Sequence, residues 1–159
     1  MSIEKVRAYM KERGLEERIR EFDVSSATVE LAALAVGVEG ARIAKTLSFR
    51  LGDRVVLVVT AGDAKVDNRK YKDTFGGKAT MLGHDEASER IGHAVGGVCP
   101  FALPEGVEVY LDVSMKRFET VFPAAGSDNS AIEMTMEELE RHSSNFVKWV
   151  DVCKNWQGE

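Results

Sequence analysis

Two stretches of this sequence combine residue types and spacing that could do chemistry: the loop Gly96-Gly97-Val98-Cys99-Pro100-Phe101 and, well upstream of it, Lys45. Adjacent glycines reach backbone angles closed to other residues and bring no side chain to bar a ligand, and Pro100 then fixes the exit. Such a loop presents bare amides and carbonyls. Lys45 opens Lys-Thr-Leu-Ser-Phe, where strand alternation sets it on the same face as Leu47 and Phe49. An ammonium on an otherwise apolar strand face either sits at the rim of a pocket or holds an anion. A second glycine-containing loop runs Ala125-Gly126-Ser127-Asp128-Asn129-Ser130. Together these parts suit binding a small, neutral-to-cationic group while a cation holds a phosphate or polarises an ester. Activated esters match them well, because their hydrolysis needs little acid-base help.

Other chemistries fit poorly. His84, His93 and His142 are scattered, without the i, i+4 spacing of a zinc pair or a recognisable acidic third ligand, so no metal site is expected. A nucleophilic Cys99 would want a neighbouring base, and His93 lies six residues away in sequence; a small buried or loop thiol is the simpler reading. No G-x-S-x-G elbow occurs, and Gly96-Gly97 precedes no helix of the kind a phosphate loop or dinucleotide site requires.

The elements that must position these residues can be read in chain order. Ser2 can cap a helix whose Ile3, Val6 and Met10 share one stripe and which Gly14 ends. Ile19 to Phe22 reads as a short strand, and Ser25 or Ser26 as the cap of a helix to Val36, stopped by Gly37. Gly52-Asp53 is a two-residue hairpin signal joining the Lys45 strand to Val55–Val59, an arm apolar on both faces and therefore central. Asp63 to Phe75 is expected to be a polar, basic helix, Ala79 to Leu82 a strand, and Asp85 to Ile91 a short helix closed by Gly92. Val107 to Val113 alternates as a half-buried strand, Ser114 to Phe118 suits one helical turn, and Ile132 to Met134 a strand. Thr135-Met136-Glu137-Glu138 matches the capping box of a helix to about Arg141, and Phe146 to Val152 closes the chain as a strand. Most strand pairs read as hairpin-like. The expected fold class is α+β, with a mixed, strongly curved sheet or irregular barrel flanked by helices.

At 159 residues and 44% hydrophobic composition the chain suits a single domain spanning 1–159 with one sizeable core. No apolar run is long enough to span a bilayer, and Cys99 and Cys153 lack metal spacing, so both are read as free thiols of a cytoplasmic protein. The net charge of -5, from 26 acidic and 21 basic residues, argues against coating nucleic acid through bulk charge. It leaves room for a local patch. Lys65, Arg69, Lys70, Lys72 and Lys78 outnumber Asp67 and Asp73, and a helix over 63–75 would put Lys65, Arg69 and Lys72 on one face, either a solvated helix face or a basic contact surface.

Ala41-Arg42-Ile43-Ala44-Lys45-Thr46-Leu47, the Gly52-Asp53 hairpin, the loop from Gly96 to Phe101 and Ala125-Gly126-Ser127 together resemble the YbaK/ProX family of aminoacyl-tRNA deacylases over nearly the whole chain. The resemblance implies a freestanding relative of the editing domain inserted in bacterial prolyl-tRNA synthetases, hydrolysing mischarged tRNA such as Cys-tRNA(Pro) or Ala-tRNA(Pro). It implies Lys45, Gly96 and Gly97 as the catalytic set. Thr46 would line the amino-acid pocket, with Val98, Cys99, Pro100, Phe101, Gly126 and Ser127 as further substrate-binding positions. A terminal ribose hydroxyl would assist the reaction in place of a protein base, and no cofactor is implied. Aminoacyl-tRNA is the implied partner, with Lys65, Arg69 and Lys72 as its expected tRNA-binding face, and prolyl-tRNA synthetase the candidate delivery partner, with neither membrane nor DNA involved.

On chemical grounds a 2'-hydroxyl beside the ester can position or activate water, so the protein mainly holds the carbonyl and excludes the correct amino acid by size. Lys45 would then hold the terminal phosphate or orient the sugar, since a nucleophilic lysine needs a depressed pKa. Two alternatives stand beside this reading: a non-catalytic module binding tRNA ends or a synthetase through the same pocket, and an esterase for small aminoacyl esters unrelated to tRNA.

Overall fold

The computed structural model describes residues 2–93 and 96–156. Helix α1 (Ser2–Lys11) buries Val6 and Met10 completely and is followed by β1 (Ile19–Glu21). Helix α2 (Val29–Val36) starts at Thr28, whose side chain accepts from the Leu31 amide; it ends at Gly37 in the left-handed conformation. Thr28 thus replaces the expected Ser25 or Ser26 cap. Strands β2 (Ile43–Leu51) and β3 (Arg54–Ala61) form the expected hairpin, with positive φ at Gly52 and Leu51 opposite Arg54.

The expected helix over 63–75 divides. Its first part is β4 (Lys65–Val66), and α3 (Asn68–Phe75) begins only where the Asp67 carboxylate accepts from the Arg69 and Lys70 amides. Lys65 therefore does not share a helical face with Arg69 and Lys72. A side chain that caps so well resets the helix start, and the preceding residues pair with a strand from the far end of the chain.

Helix α4 (His84–Ile91) is followed, past the glycine loop, by β5 (Val107–Asp112), β6 (Thr120–Pro123), β7 (Ser130–Ile132) and β8 (Met134–Thr135). Helix α5 (Met136–His142) has the capping box between Thr135 and Glu138, and β9 (Phe146–Val150) and β10 (Cys153–Lys154) follow. The run 79–82 makes only a single bridge, Met81 to Phe49.

Six strands form one curled, half-barrel sheet in the order β8-β6-β2-β3-β5-β9, while β1 pairs with β7 and β10 with β4. The fold class is thus the expected α+β with a strongly curved mixed sheet. The pairing is less local than expected, because β2–β6, β3–β5 and β5–β9 are all parallel and need crossover connections. Central position buries Val55 to Val59 almost completely, as expected. It also buries β5 beyond the half-buried reading: Tyr110 and Asp112 are buried along with Val109 and Leu111. Asp112 is tolerated there because its carboxylate accepts from the Ser114 and Val152 amides.

Candidate functional site

A cleft of about 350 Å³ opens between the start of α2, the middle of β2, the segment from Met81 to Ala87 and the glycine loop. Lys45 and Thr46 stand on its wall, joined by Gly96 and Val98 from the loop and by Phe122, Ser130 and Ala131 from β6 and β7. Lys45 is paired across the hairpin with Thr60, and its ammonium donates to the Gly62 carbonyl at 3.4 Å. Burial holds its pKa below the ordinary lysine value and Lys65 adds to the lowering; Cys153, Asp63 and Glu30 oppose it. The Thr46 hydroxyl is buried without a protein hydrogen-bond partner.

Gly62 explains how the lysine is braced. A Cβ there would stand 2.1 Å from the Gly40 carbonyl oxygen and 2.8 Å from Val29 Cγ1, so only glycine lets this turn press against α2 and the chain entering β2. The next residue, Asp63, is clamped by both terminal nitrogens of Arg117 at 2.6 and 3.0 Å. The Arg117 hydrogen bond holds the Asp63 carboxyl below the usual carboxylate range. Arg117 also donates to the Ser114 and Trp156 carbonyls, tying the lysine's support to the C-terminal strand pair.

The glycine loop is seated on the second glycine loop. Gly96 has a φ of 87°, and a Cβ on it would lie 2.9 Å from Asp128 Cβ. A Cβ on Gly97 would fall 2.6 Å from both the Gly126 carbonyl carbon and the Ser127 nitrogen. The segment between β1 and α2 is stitched to the same corner, where the Ser26 amide donates to the Asp128 carbonyl at 2.6 Å and the Phe22 amide to the Asn129 carbonyl at 2.8 Å.

Alternation along this extended loop sorts the expected substrate contacts. Gly96 and Val98 reach the cleft, whereas Gly97, Cys99, Pro100, Phe101, Gly126 and Ser127 are not part of its wall. Cys99 is fully buried, its sulfur 3.6 Å from His93 Nε2, and burial pushes the thiol up to about 12. Its neighbour Phe101 is buried against Tyr9, and the Pro100 carbonyl accepts from Ser144. Ser127 spends its hydroxyl on Asn129 and Ser130, which holds the second loop in shape. Lys65, Arg69 and Lys72 are exposed and lie outside the cleft.

Sequence reasoning missed Ser26, Thr28, Met81 and His84, all on the wall. They come from two separate segments without a shared motif, and only the exposure of Met81, an apolar side chain left 57% accessible beside the cleft, sets one of them apart. Among the described wall residues the titratable side chains are Lys45 and His84; there is no carboxylate and no thiol. No cluster of His, Cys, Asp and Glu that could hold a metal ion occurs among the described residues.

Comparison with known proteins places this geometry in a family. A profile described as "Aminoacyl-tRNA editing domain" matches residues 23–142. The uncharacterized protein YwhH of Bacillus subtilis (strain 168) is 56% identical over 158 residues, covering 99% of this chain and 100% of YwhH. Proline--tRNA ligase of Bacillus pumilus (strain SAFR-032) is 31% identical over 139 residues, 82% of this chain but only 24% of the ligase. A crystal structure described as a candidate trans-editing enzyme for prolyl tRNA synthetase superposes with a TM-score of 0.86 at 27% identity, covering 96% of this chain and 97% of that one. The hypothetical protein APE2540 superposes with a TM-score of 0.83 at 30% identity, over 94% of this chain and 99% of its own. By its matched residues and its fold, the chain belongs to the aminoacyl-tRNA editing domain family, the YbaK-like group its motifs resemble.

Proposed function

We propose that this protein hydrolyses the ester of mischarged aminoacyl-tRNA in trans, with Cys-tRNA(Pro) or Ala-tRNA(Pro) as substrate. The observation that carries the reading is the titratable make-up of the cleft wall: among its described residues one half-buried lysine, one exposed imidazole and no carboxylate or thiol. The hydroxyls on the wall, those of Ser26, Thr28, Thr46, Ser48 and Ser130, have no hydrogen bond to a histidine or carboxylate among the described residues. The Lys45 amine, although burial lowers its pKa, is held by the Gly62 carbonyl. A wall without a base-activated nucleophile suits a substrate whose own 2'-hydroxyl lies beside the reacting carbonyl. Lys45, fixed by the Gly62 carbonyl, holds the terminal phosphate or sugar and stabilises charge as the ester oxygen becomes anionic. Bare backbone at Gly96 leaves room for the ester, while Gly97 keeps that backbone in place against Gly126 and Ser127. Thr46 and Val98 bound the amino-acid side chain, and the limited volume sorts substrates by size.

The test is deacylation of a panel of aminoacyl-tRNAs by purified protein, with correctly charged Pro-tRNA(Pro) as the substrate to be spared. Faster-than-spontaneous release of alanine or cysteine from tRNA(Pro) supports the reading. Binding without release from any member would make the protein a recognition module.

A further inference from the structure

Strands β4 and β10 form a two-stranded antiparallel ribbon with Val66 opposite Cys153 and Lys65 opposite Lys154. Alternation sends the first pair inward, where Cys153 is fully buried, and the second pair outward, where both lysines are exposed. Like charges directly opposite on an antiparallel pair repel and destabilise it. Two acidic side chains lie nearby without forming an ion pair with them: the Asp67 carboxylate, which accepts from the Arg69 and Lys70 amides, also feels the Lys154 ammonium, and the Asp151 carboxylate is paired with Lys70 at 3.1 Å. Among the described residues neither Lys65 nor Lys154 has an ion-pair partner within 4.0 Å. The ribbon thus presents two ammonium groups side by side with no direct ion-pair partner among the described residues.

Its position matters as much as its charge. The Lys65 ammonium is close enough to act electrostatically on Lys45 in the cleft, and the Lys70 ammonium donates to the Cys153 carbonyl on the ribbon's second strand. The ribbon's first strand also starts three residues after Gly62, whose carbonyl holds the Lys45 ammonium. A polyanion lying along the outward face would relieve its repulsion.

We propose that the β4–β10 ribbon is the strip that grips the RNA backbone, with Lys65 and Lys154 on neighbouring phosphates of the 3'-terminal strand whose last nucleotide reaches Lys45. The inference rests on the proposed use of the cleft for a tRNA end. It replaces the helix face of Lys65, Arg69 and Lys72 with a pair drawn from two strands distant in sequence. Phosphate contacts of this kind set affinity and salt dependence without reading sequence.

The experiment measures fluorescence anisotropy of a labelled, uncharged acceptor-stem hairpin RNA with a single-stranded 3' tail. The full chain is compared with Lys65→Ala/Lys154→Ala and with Arg69→Ala/Lys72→Ala. Loss of two phosphate contacts predicts that wild-type affinity falls roughly tenfold more than that of the ribbon variant between about 50 and 200 mM salt. The Arg69/Lys72 variant should follow the wild type. Removing the like-charge pair should leave the melting temperature unchanged or raised, which separates lost contact from lost folding. An unchanged salt slope in the ribbon variant overturns the inference, as does an equal or larger effect of the Arg69/Lys72 variant or a failure of the wild type to bind this RNA. Deacylation of the charged panel is read on the same preparations. Ribbon-dependent binding without hydrolysis would support the strip while overturning the hydrolase reading, and hydrolysis with ribbon-independent RNA binding would do the reverse.

Discussion

Gly62→Ala is the sharpest perturbation of the machinery behind Lys45, because a single methyl group meets immovable backbone. The new Cβ would lie 2.1 Å from the Gly40 carbonyl oxygen, whereas real Cβ contacts essentially never fall below 3.0 Å, so the two segments must part by about 0.9 Å. Val29 Cγ1, at 2.8 Å, can rotate aside; a carbonyl cannot. The φ of Gly62 lies outside the left-handed range, so backbone strain adds nothing and the effect is collision alone. Overpacking of this kind costs roughly 1–3 kcal/mol, which for a chain of this length lowers the melting temperature by roughly 2–12 °C. The same displacement carries away the carbonyl that holds the Lys45 ammonium and pushes on the first turn of α2, two parts of the cleft wall. A misplacement near 1 Å at a reacting centre can cost about 10²-fold in rate. Thermal unfolding by circular dichroism and single-turnover deacylation, run well below the variant's transition, read the two effects separately. Gly52→Ala is the control: its φ of +64° makes alanine strained, with a cost of about 1–2 kcal/mol, but nothing lies within 4 Å and activity should not change. Wild-type stability and turnover in Gly62→Ala would refute the bracing argument, and so would equal activity losses in the two variants.

Lys45→Met should lower deacylation by roughly 10²–10³-fold, since it removes the one half-buried cation among the described wall residues while keeping an unbranched side chain only one atom shorter. The same variant should be more stable than wild type near neutral pH. The folded-state pKa of Lys45 lies below that of the unfolded chain, so its burial cost is fully present below the folded pKa and fades as pH rises through it toward about 10.4. Unfolding measured against pH should therefore show the advantage of methionine narrowing in alkali; a constant or widening gap would contradict the depressed pKa. Cys99→Ala should keep most of the activity, because the thiol is fully buried and pushed up to about 12, and trapping of an acyl group on that sulfur would contradict this. Thr46→Val should stabilise the free protein by about 1 kcal/mol by removing a buried hydroxyl that has no protein partner, and destabilisation on denaturant unfolding would mean that the hydroxyl is satisfied.

The sequence alone determined those features whose causes are local. Gly52-Asp53 turns a hairpin, Thr135 and Glu138 cap α5 reciprocally, and the doubly apolar run Val55–Val59 has to be a central strand, because each depends on residues a few positions apart. Lys45 was legible as a candidate for the same reason, an ammonium out of place on an apolar strand. The bare backbone of the Gly96 loop was legible beside it, and the family motifs added the substrate class. Tertiary structure decided the rest. Parallel pairing of β3 with β5 and of β5 with β9 joins segments with no local turn signal, and it is this pairing that buries the polar-alternating residues of β5. Residues 63–75 read as one helix because helical spacing of charge says nothing of a partner strand; β10, from the other end of the chain, takes Lys65 and Val66 instead. The split within the glycine loop, with Gly96 and Val98 toward the cleft and Gly97 and Cys99 away from it, depends on which side of an extended segment the Gly126–Ser127 backbone occupies. Composition and spacing carry no trace of that choice, because it is made by packing between loops about thirty residues apart in the chain.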